Sequence, residues 1–241
     1  FNGMFAFLIW DRKDKKLFGA RDRFGIKPLY YLINEKRIII SSEINPIIKI
    51  LEPVIDDEAL IEYFLFRNYL NNKTIFRNVK LFEKGTFFYI ENKKLNVKKY
   101  YDHRQNIFNN DKTSDINDID VLLKQSIDSH LISDVLIGSY LSSGIDSSLV
   151  TTYATKRIKN LNTFTCGFSI NNSLHNKYNE SIDSKLISEY LDTNHKEIVF
   201  DKNDCKELNK LIYKIVEEPR LGVCLANLKI SQLVKNYNKV V

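Results

Sequence analysis

The residues best suited to chemistry stand together at Ser142-Ser143-Gly144-Ile145-Asp146-Ser147-Ser148. Four hydroxyls can donate hydrogen bonds. Gly144 permits a tight turn and puts no Cβ between the backbone and an approaching anion. Hydroxyls and open backbone N–H groups hold phosphate oxygens well, but Asp146 would repel them unless a cation lay between. Asp146 is therefore assigned to Mg2+, a hard cation that shares oxygen ligands with substrate phosphates. The segment lacks Gly-Lys-Ser/Thr, and the missing lysine argues against γ-phosphoryl transfer. Read alone, it leaves open a plain Ser-rich turn with Asp146 as a helix cap.

Position sharpens the reading. An apolar run at Asp134–Leu141 leads into the loop as a strand, and Asp146–Lys159 follows as a helix. The start of a helix offers free N–H groups and the positive end of its dipole to an anion. Around this pair, helices at Asp115–His130 and about Asn179–Leu191 alternate with strands at Thr163–Phe168 and His195–Phe200. Two more helices follow, and Lys239-Val240-Val241 begins another apolar run. Strands separated by helices of this length imply a doubly wound parallel sheet, whose ligands bind beyond the carboxyl ends of the strands.

The first hundred residues read differently. Gly3–Trp10, Lys16–Arg21, Pro28–Ile33 and Arg37–Ser42 are short apolar runs broken by Asp, Lys, Gly and Asn, the pattern of a β-rich domain. A short helix is expected at Ser42–Leu51. A second is announced by Asp56-Asp57 ahead of ALIEYFLF. TFFYI and NKKLNVKKYY form a hairpin turning near Glu91–Lys94. DHRQNIFNNDKTS, residues 102–114, is polar and Asn-rich and reads as a linker, so domains are expected at 1–101 and 115–241.

The 241 residues are 44% apolar and 27% charged, which suits globular domains. No apolar run is long enough for a membrane span. The net charge of +6 is scattered, without a basic stripe or recognition motif, so nucleic acid is not expected as a partner. Cys166, Cys205 and Cys224 are too few and too far apart for a disulfide framework or a zinc site.

The stretch SDVLIGSYLSSGIDSS resembles the pyrophosphate loop of the asparagine-synthetase family, S-G-G-x-D-S-S, with Ser143 where the pattern has Gly. Thr163–Phe168, Tyr178-Asn179-Glu180, Thr193–Glu197 and Glu217-Glu218-Pro219 are similar to later family segments. The resemblance implies ATP cleavage between the α- and β-phosphates. It implies ATP and pyrophosphate contacts from Ser142, Ser143, Gly144, Asp146, Ser147 and Ser148, and backbone contacts to adenine from Tyr140 and Cys166. It also implies that Glu217–Pro219 ends a helix near the substrate, and that Asn179–Leu191 is a packing helix. His195 is read as structural.

Asn2–Phe7, RDRFGIKPLYY at Arg21–Tyr31 and Ser41-Ser42-Glu43 are similar to the glutaminase domain of the same family, which uses an N-terminal nucleophile. Arg21 and Asp22 are read as holding that domain together. Residue 1 is Phe rather than the family's nucleophilic Cys, and neither the later Ser-Gly-x-Gly segment nor the catalytic lysine is present. The resemblance thus implies an internal fragment: the end of a glutaminase and the start of an ATP-pyrophosphatase domain, inactive alone. The whole protein would be a cytoplasmic, glutamine-hydrolysing ligase acting on ATP, aspartate and glutamine, with a homodimer as its assembly. An amidotransferase for another carboxylate, or a domain that only binds ATP, stays open at this point.

Overall fold

The computed structural model describes residues 1–92, 94–108, 115–169, 179–219 and 224–241. The chain forms two compact units. The first comprises Phe1–Lys112 with Glu217–Arg220, and the second Thr113–Val216 with Leu221–Val241. No helix among the described residues is long and apolar enough to cross a membrane.

In the first unit the elements run β1 (Ala6–Asp11), β2 (Lys16–Arg21), β3 (Tyr30–Ile33), β4 (Ile38–Ser41), α1 (Asn45–Ile50), α2 (Asp57–Phe66), β5 (Lys80–Leu81), β6 (Thr86–Glu91), β7 (Lys94–Lys99) and α3 (His103–Phe108). They make two antiparallel sheets, ordered β1-β2-β6-β7 and β4-β3-β5. Strand β3 shows why its sequence is apolar at every position. Tyr30 and Leu32 pack with Ile44 and Ile47 beside α1, while Leu29 and Tyr31 face Phe82 and Phe88. With period-two side chains, a strand covered on both faces must be apolar throughout. The hairpin turns with Glu91 opposite Lys94, as its sequence signals. Asp56 caps α2, accepting from the N–H groups of Glu58 and Ala59. Helix α3 occupies part of the segment read as a linker, and residues 109–114 lie outside the described part.

A turn after β2 is built on two buried charges. The Asp22 carboxylate is 1% exposed and accepts from the N–H groups of Phe24 (3.1 Å), Ile26 (3.0 Å) and Lys27 (3.0 Å). The Arg21 guanidinium donates to the carbonyls of Lys27 (2.8 Å), Gly25 (2.6 Å) and Phe82. Gly25 sits at φ +69° inside this turn, where a side chain would be strained and would crowd Arg21. The RDRFGIK segment is therefore a turn closed by its own charges. Glu217 and Glu218 do similar work in the same unit. Glu217 accepts from the N–H groups of Ile44 (2.6 Å) and Asn45 (2.7 Å), and Glu218 from that of Ile75 (2.9 Å).

In the second unit the order is α4 (Ile116–His130), β8 (Gly138–Tyr140), α5 (Ile145–Thr155), β9 (Asn162–Phe168), α6 (Ser181–Tyr190), β10 (Asn194–Phe200), α7 (Lys202–Ile215) and α8 (Cys224–Val234). Strands β10-β9-β8 form a parallel sheet. Beyond β8, Ile137 bridges Val240 in parallel and the Gly138 N–H donates to the Val240 carbonyl at 2.8 Å. Helices lie on both faces. Ser139 bonds to Thr151 of α5 at 2.8 Å, and Gly167 packs against Ser181 of α6. On the opposite face Phe164 packs with Ile230 and Val234 of α8. Strand β8 is shorter than the expected Asp134–Leu141 run. Its partner β9 begins opposite Gly138, so the residues before Ile137 have no strand to pair with, and Leu136 is exposed.

Burial tends to raise the Asp22 carboxyl, but the N–H groups of Lys27, Ile26, Phe24 and Gly25 outweigh it and hold the group below the ordinary carboxylate range. A depressed folded value stabilises the fold above the unfolded carboxylate value of about 3.9, and that contribution is lost as pH falls through the folded one. Asp22→Ala should destabilise the chain at pH 7 by about 2–4 kcal/mol, since it strands several backbone donors. Urea unfolding at pH 7 and pH 3 tests this, and the gap between wild type and variant should shrink at pH 3.

Candidate functional site

Strand β8 ends at Tyr140, and the Leu141 N–H extends the ladder to the Phe164 carbonyl at 2.9 Å. Thr165 Oγ1 donates to the Leu141 carbonyl, pinning the strand end from β9. The chain then turns, and helix α5 starts at Ile145 with Gly144 as its N-cap residue. Ser147 Oγ lies at the centre of the turn. It accepts from the Ser142 N–H (3.1 Å), pairs with Ser142 Oγ (2.7 Å), and lies 3.1 and 3.2 Å from the carbonyls of Ser142 and Gly144. Ser148 Oγ donates to the Gly144 carbonyl at 2.8 Å. Ser142, Ser147 and Ser148 thus hold the loop's shape, and Ser143 is the hydroxyl with no part in that network among the described residues.

Two readings of the loop need correction. Gly144 has φ −68° and ψ 147°, an ordinary extended conformation, so the turn does not require glycine's freedom. A Cβ there would meet only Ser142 Oγ, at 3.2 Å. Asp146 is not a cap. It is the second helical residue, exposed and free of ion pairs among the described residues, while the position that caps belongs to Gly144. A carboxylate in the first turn is favoured by the helix dipole and remains available to a cation. The first N–H groups of α5 have no acceptor within the helix. Loop, helix start and Asp146 therefore share one edge of the sheet.

That edge is where the chain's connections diverge. From β8 one connection runs through α5 to β9, while Val240 arrives on the other side of β8 after α8. A crevice opens at the carboxyl end of a strand whose two neighbours are reached in opposite directions.

Comparison with known proteins agrees with this arrangement. The family described as asparagine synthase matches residues 118–241, and the glutamine amidotransferase domain matches residues 1–101. The chain belongs to the asparagine synthase family. It is 36% identical over 168 residues to asparagine synthetase [glutamine-hydrolyzing] 1 of Bacillus subtilis, covering 69% of this chain and 27% of that protein. It is 30% identical over 253 residues to putative asparagine synthetase [glutamine-hydrolyzing] 2 of Methanocaldococcus jannaschii, covering 100% of this chain and 47% of that one. The chain thus spans about half the length, or less, of these curated relatives. A solved NH3-dependent NAD synthetase from Campylobacter jejuni is similar over 52% of this chain and 54% of that one, at 20% identity with a TM-score of 0.35.

The remaining family-like segments fall in different places. Tyr140 is partly exposed at the end of β8, and Cys166 lies two residues past Phe164 on β9, so both approach the loop's edge of the sheet. Burial, helped by the Asp204 carboxylate and opposed by Lys229, pushes the Cys166 thiol up, which suits a packing residue rather than a nucleophile. Asp204 and Lys229 form an ion pair between α7 and α8, and sequence reasoning did not anticipate it. The Asp201-x-x-Asp204 capping box was a legible signal for Asp204; Lys229 carried none. Tyr178 lies outside the described residues, whereas Asn179 Oδ1 accepts from the N–H groups of Phe168 (3.3 Å) and Ser181 (3.4 Å), joining β9 to the start of α6. Helix α7 ends just before Glu217, as the proline nearby suggests. The Glu217 and Glu218 carboxylates are used on backbone N–H groups of the first unit, so these two residues belong to that unit's framework.

His195 is structural. Its Nδ1 lies 3.0 Å from Thr163 Oγ1, which joins Thr193 and Ser188 in a chain of hydroxyls at the amino ends of β9 and β10, away from the loop. Its Nε2 is buried without a hydrogen-bond partner among the described residues. Burial lowers its affinity for a proton, Glu197 opposes this, and Lys185 and Lys196 add to it. A lowered folded value means the unfolded chain binds the proton better. Stability is therefore full above the unfolded value of about 6.5 and falls as pH drops below it. Denaturant unfolding between pH 8 and pH 5 should show this loss, and His195→Gln should flatten it.

Proposed function

We propose that this chain is part of a glutamine-hydrolysing asparagine synthase. In the whole protein, the side-chain carboxylate of aspartate attacks the α-phosphorus of ATP and pyrophosphate leaves. Ammonia released from glutamine then displaces AMP from the acyl-adenylate. The products are asparagine, glutamate, AMP and pyrophosphate. The observation that carries this reading is the Ser142–Ser148 loop, closed by its own hydroxyls at the divergence point of a parallel sheet and opening onto the start of α5.

In this reading the residues divide the work. The N–H groups at the start of α5 and the hydroxyl of Ser143 face the β- and γ-phosphates, and stabilise charge as pyrophosphate departs. Ser142, Ser147 and Ser148 keep those donors in place and add contacts where a hydroxyl can turn outward. Backbone groups of Tyr140 and Cys166 border the adenine. Asp146 fits a Mg2+ that it would share with phosphate oxygens, since such ions commonly take one or two carboxylates and leave the rest to phosphate and water. The ion would neutralise charge on the leaving group.

The domain reading follows. Residues 1–101 are the C-terminal part of a glutaminase of the N-terminal-nucleophile type, 102–114 a linker, and 115–241 the first part of a doubly wound ATP-pyrophosphatase domain. The setting is cytoplasmic, and the assembly a homodimer.

Isothermal titration of the chain with ATP, with and without Mg2+, tests the proposal. Wild type should bind ATP in a Mg2+-dependent way. Asp146→Ala should weaken that binding at least about tenfold, by loss of a direct metal ligand, with an unchanged circular dichroism spectrum. Equal affinity in the two proteins would refute the role of Asp146. Absence of ATP binding in wild type would refute the site.

A further inference from the structure

The first unit contains a cavity that the proposed reaction does not use. It has a volume of about 220 Å³ and lies between the β4-β3-β5 sheet, helix α1 and the segment around Phe76. Its floor belongs to the core, since Leu32, Ile47 and Val79 are almost fully buried. Half-buried Ile48, Leu51 and Phe76 form the walls. The floor is therefore fixed by packing that exists without any ligand. A dry apolar cavity of about 150 Å³ is large enough to take up benzene, so this one has room for a ring and a short chain.

The mouth is polar and asymmetric in charge. Asn34, Glu52 and Asn78 line it, and Glu52 is its single charged residue. Glu52 makes no ion pair or hydrogen bond among the described residues. Nearby cations are otherwise placed: Arg77 pairs with Asp57, and neither Lys49 nor Arg77 lines the cavity. An apolar pocket with a lone carboxylate at its lip favours a ligand with an apolar body and a cationic end. The Asn34 Oδ1 is occupied by the N–H groups of Lys36 and Arg37, so the Asn78 amide is the one that offers a further acceptor to such a head group.

We propose that this cavity is a binding site for a small apolar amine, with its hydrocarbon part against Ile47, Leu51, Phe76 and Val79 and its ammonium at Glu52. The proposal is independent of the Ser142–Ser148 loop.

The probes are phenethylamine, 2-phenylethanol and 3-phenylpropionate, titrated into the chain while the methyl resonances of Ile47, Leu51 and Val79 are followed. Phenethylamine should saturate these shifts in the low millimolar range, as its few heavy atoms allow. It should bind about two- to fivefold more tightly than the alcohol, the scale of an exposed ion pair, and 3-phenylpropionate should bind most weakly. Glu52→Gln should remove the preference for the amine and keep binding of the alcohol. Val54→Trp, at the cavity wall, should abolish binding of both; if it does not fold, Glu52→Gln decides alone. Absence of saturable shifts, or equal affinity for amine and acid, would overturn the proposal.

Discussion

A backbone amide removed from water must find another partner, and in this chain side-chain oxygens supply one wherever the backbone turns out of its ladders. Asp22 takes the N–H groups of a whole turn, and Arg21 takes its carbonyls. Asp56 and Asp201 open α2 and α7. Glu217 and Glu218 satisfy donors at Ile44, Asn45 and Ile75. Ser147 closes the Ser142–Ser148 loop through the N–H of Ser142. Each device sets the direction in which the next element leaves, so the packing of both units rests on them.

In the loop this constraint divides residues that look alike. Four serines stand within seven positions, yet the fold uses three of them on each other and on nearby carbonyls. The network fixes the shape of the turn through contacts within the chain itself. The hydrogen bond from Thr165 to the Leu141 carbonyl ties the strand end to β9. The turn takes its shape from side chains bonded to one another and to nearby carbonyls.

Charge is used in two ways. Asp22, Asp204 and Glu217 are tied to backbone groups or a cation and serve the framework. Asp146 and Glu52 are carboxylates without such ties among the described residues, each beside a concave surface or a helix start. A carboxylate that the fold has not consumed remains available to a ligand, and this difference is visible only from contacts. His195 carries the opposite lesson. Its Nδ1 meets a row of hydroxyls at the amino ends of two strands, and its Nε2 has no partner among the described residues.

Local patterns in the sequence determined the order of elements. The Asp56 cap, the hairpin about Glu91–Lys94, the two-faced apolar strand at Tyr30–Ile33 and the strand–loop–helix at Leu141–Ser148 follow from period, capping and turn chemistry that a few neighbouring residues contain. The family likeness was legible for the same reason, because the segment that carries it, Ser142–Ser148, is continuous in sequence. Tertiary structure decided what depends on distant partners. Strand β8 is short because β9 begins where it does, and Gly144 takes an ordinary extended conformation that its turn does not require of a glycine. Lys229 meets Asp204 across twenty-five positions, and Glu217 meets Ile44 across 173. A contact between residues far apart in the chain leaves no periodicity to read, so only the folded arrangement shows which carboxylates are spent and which remain.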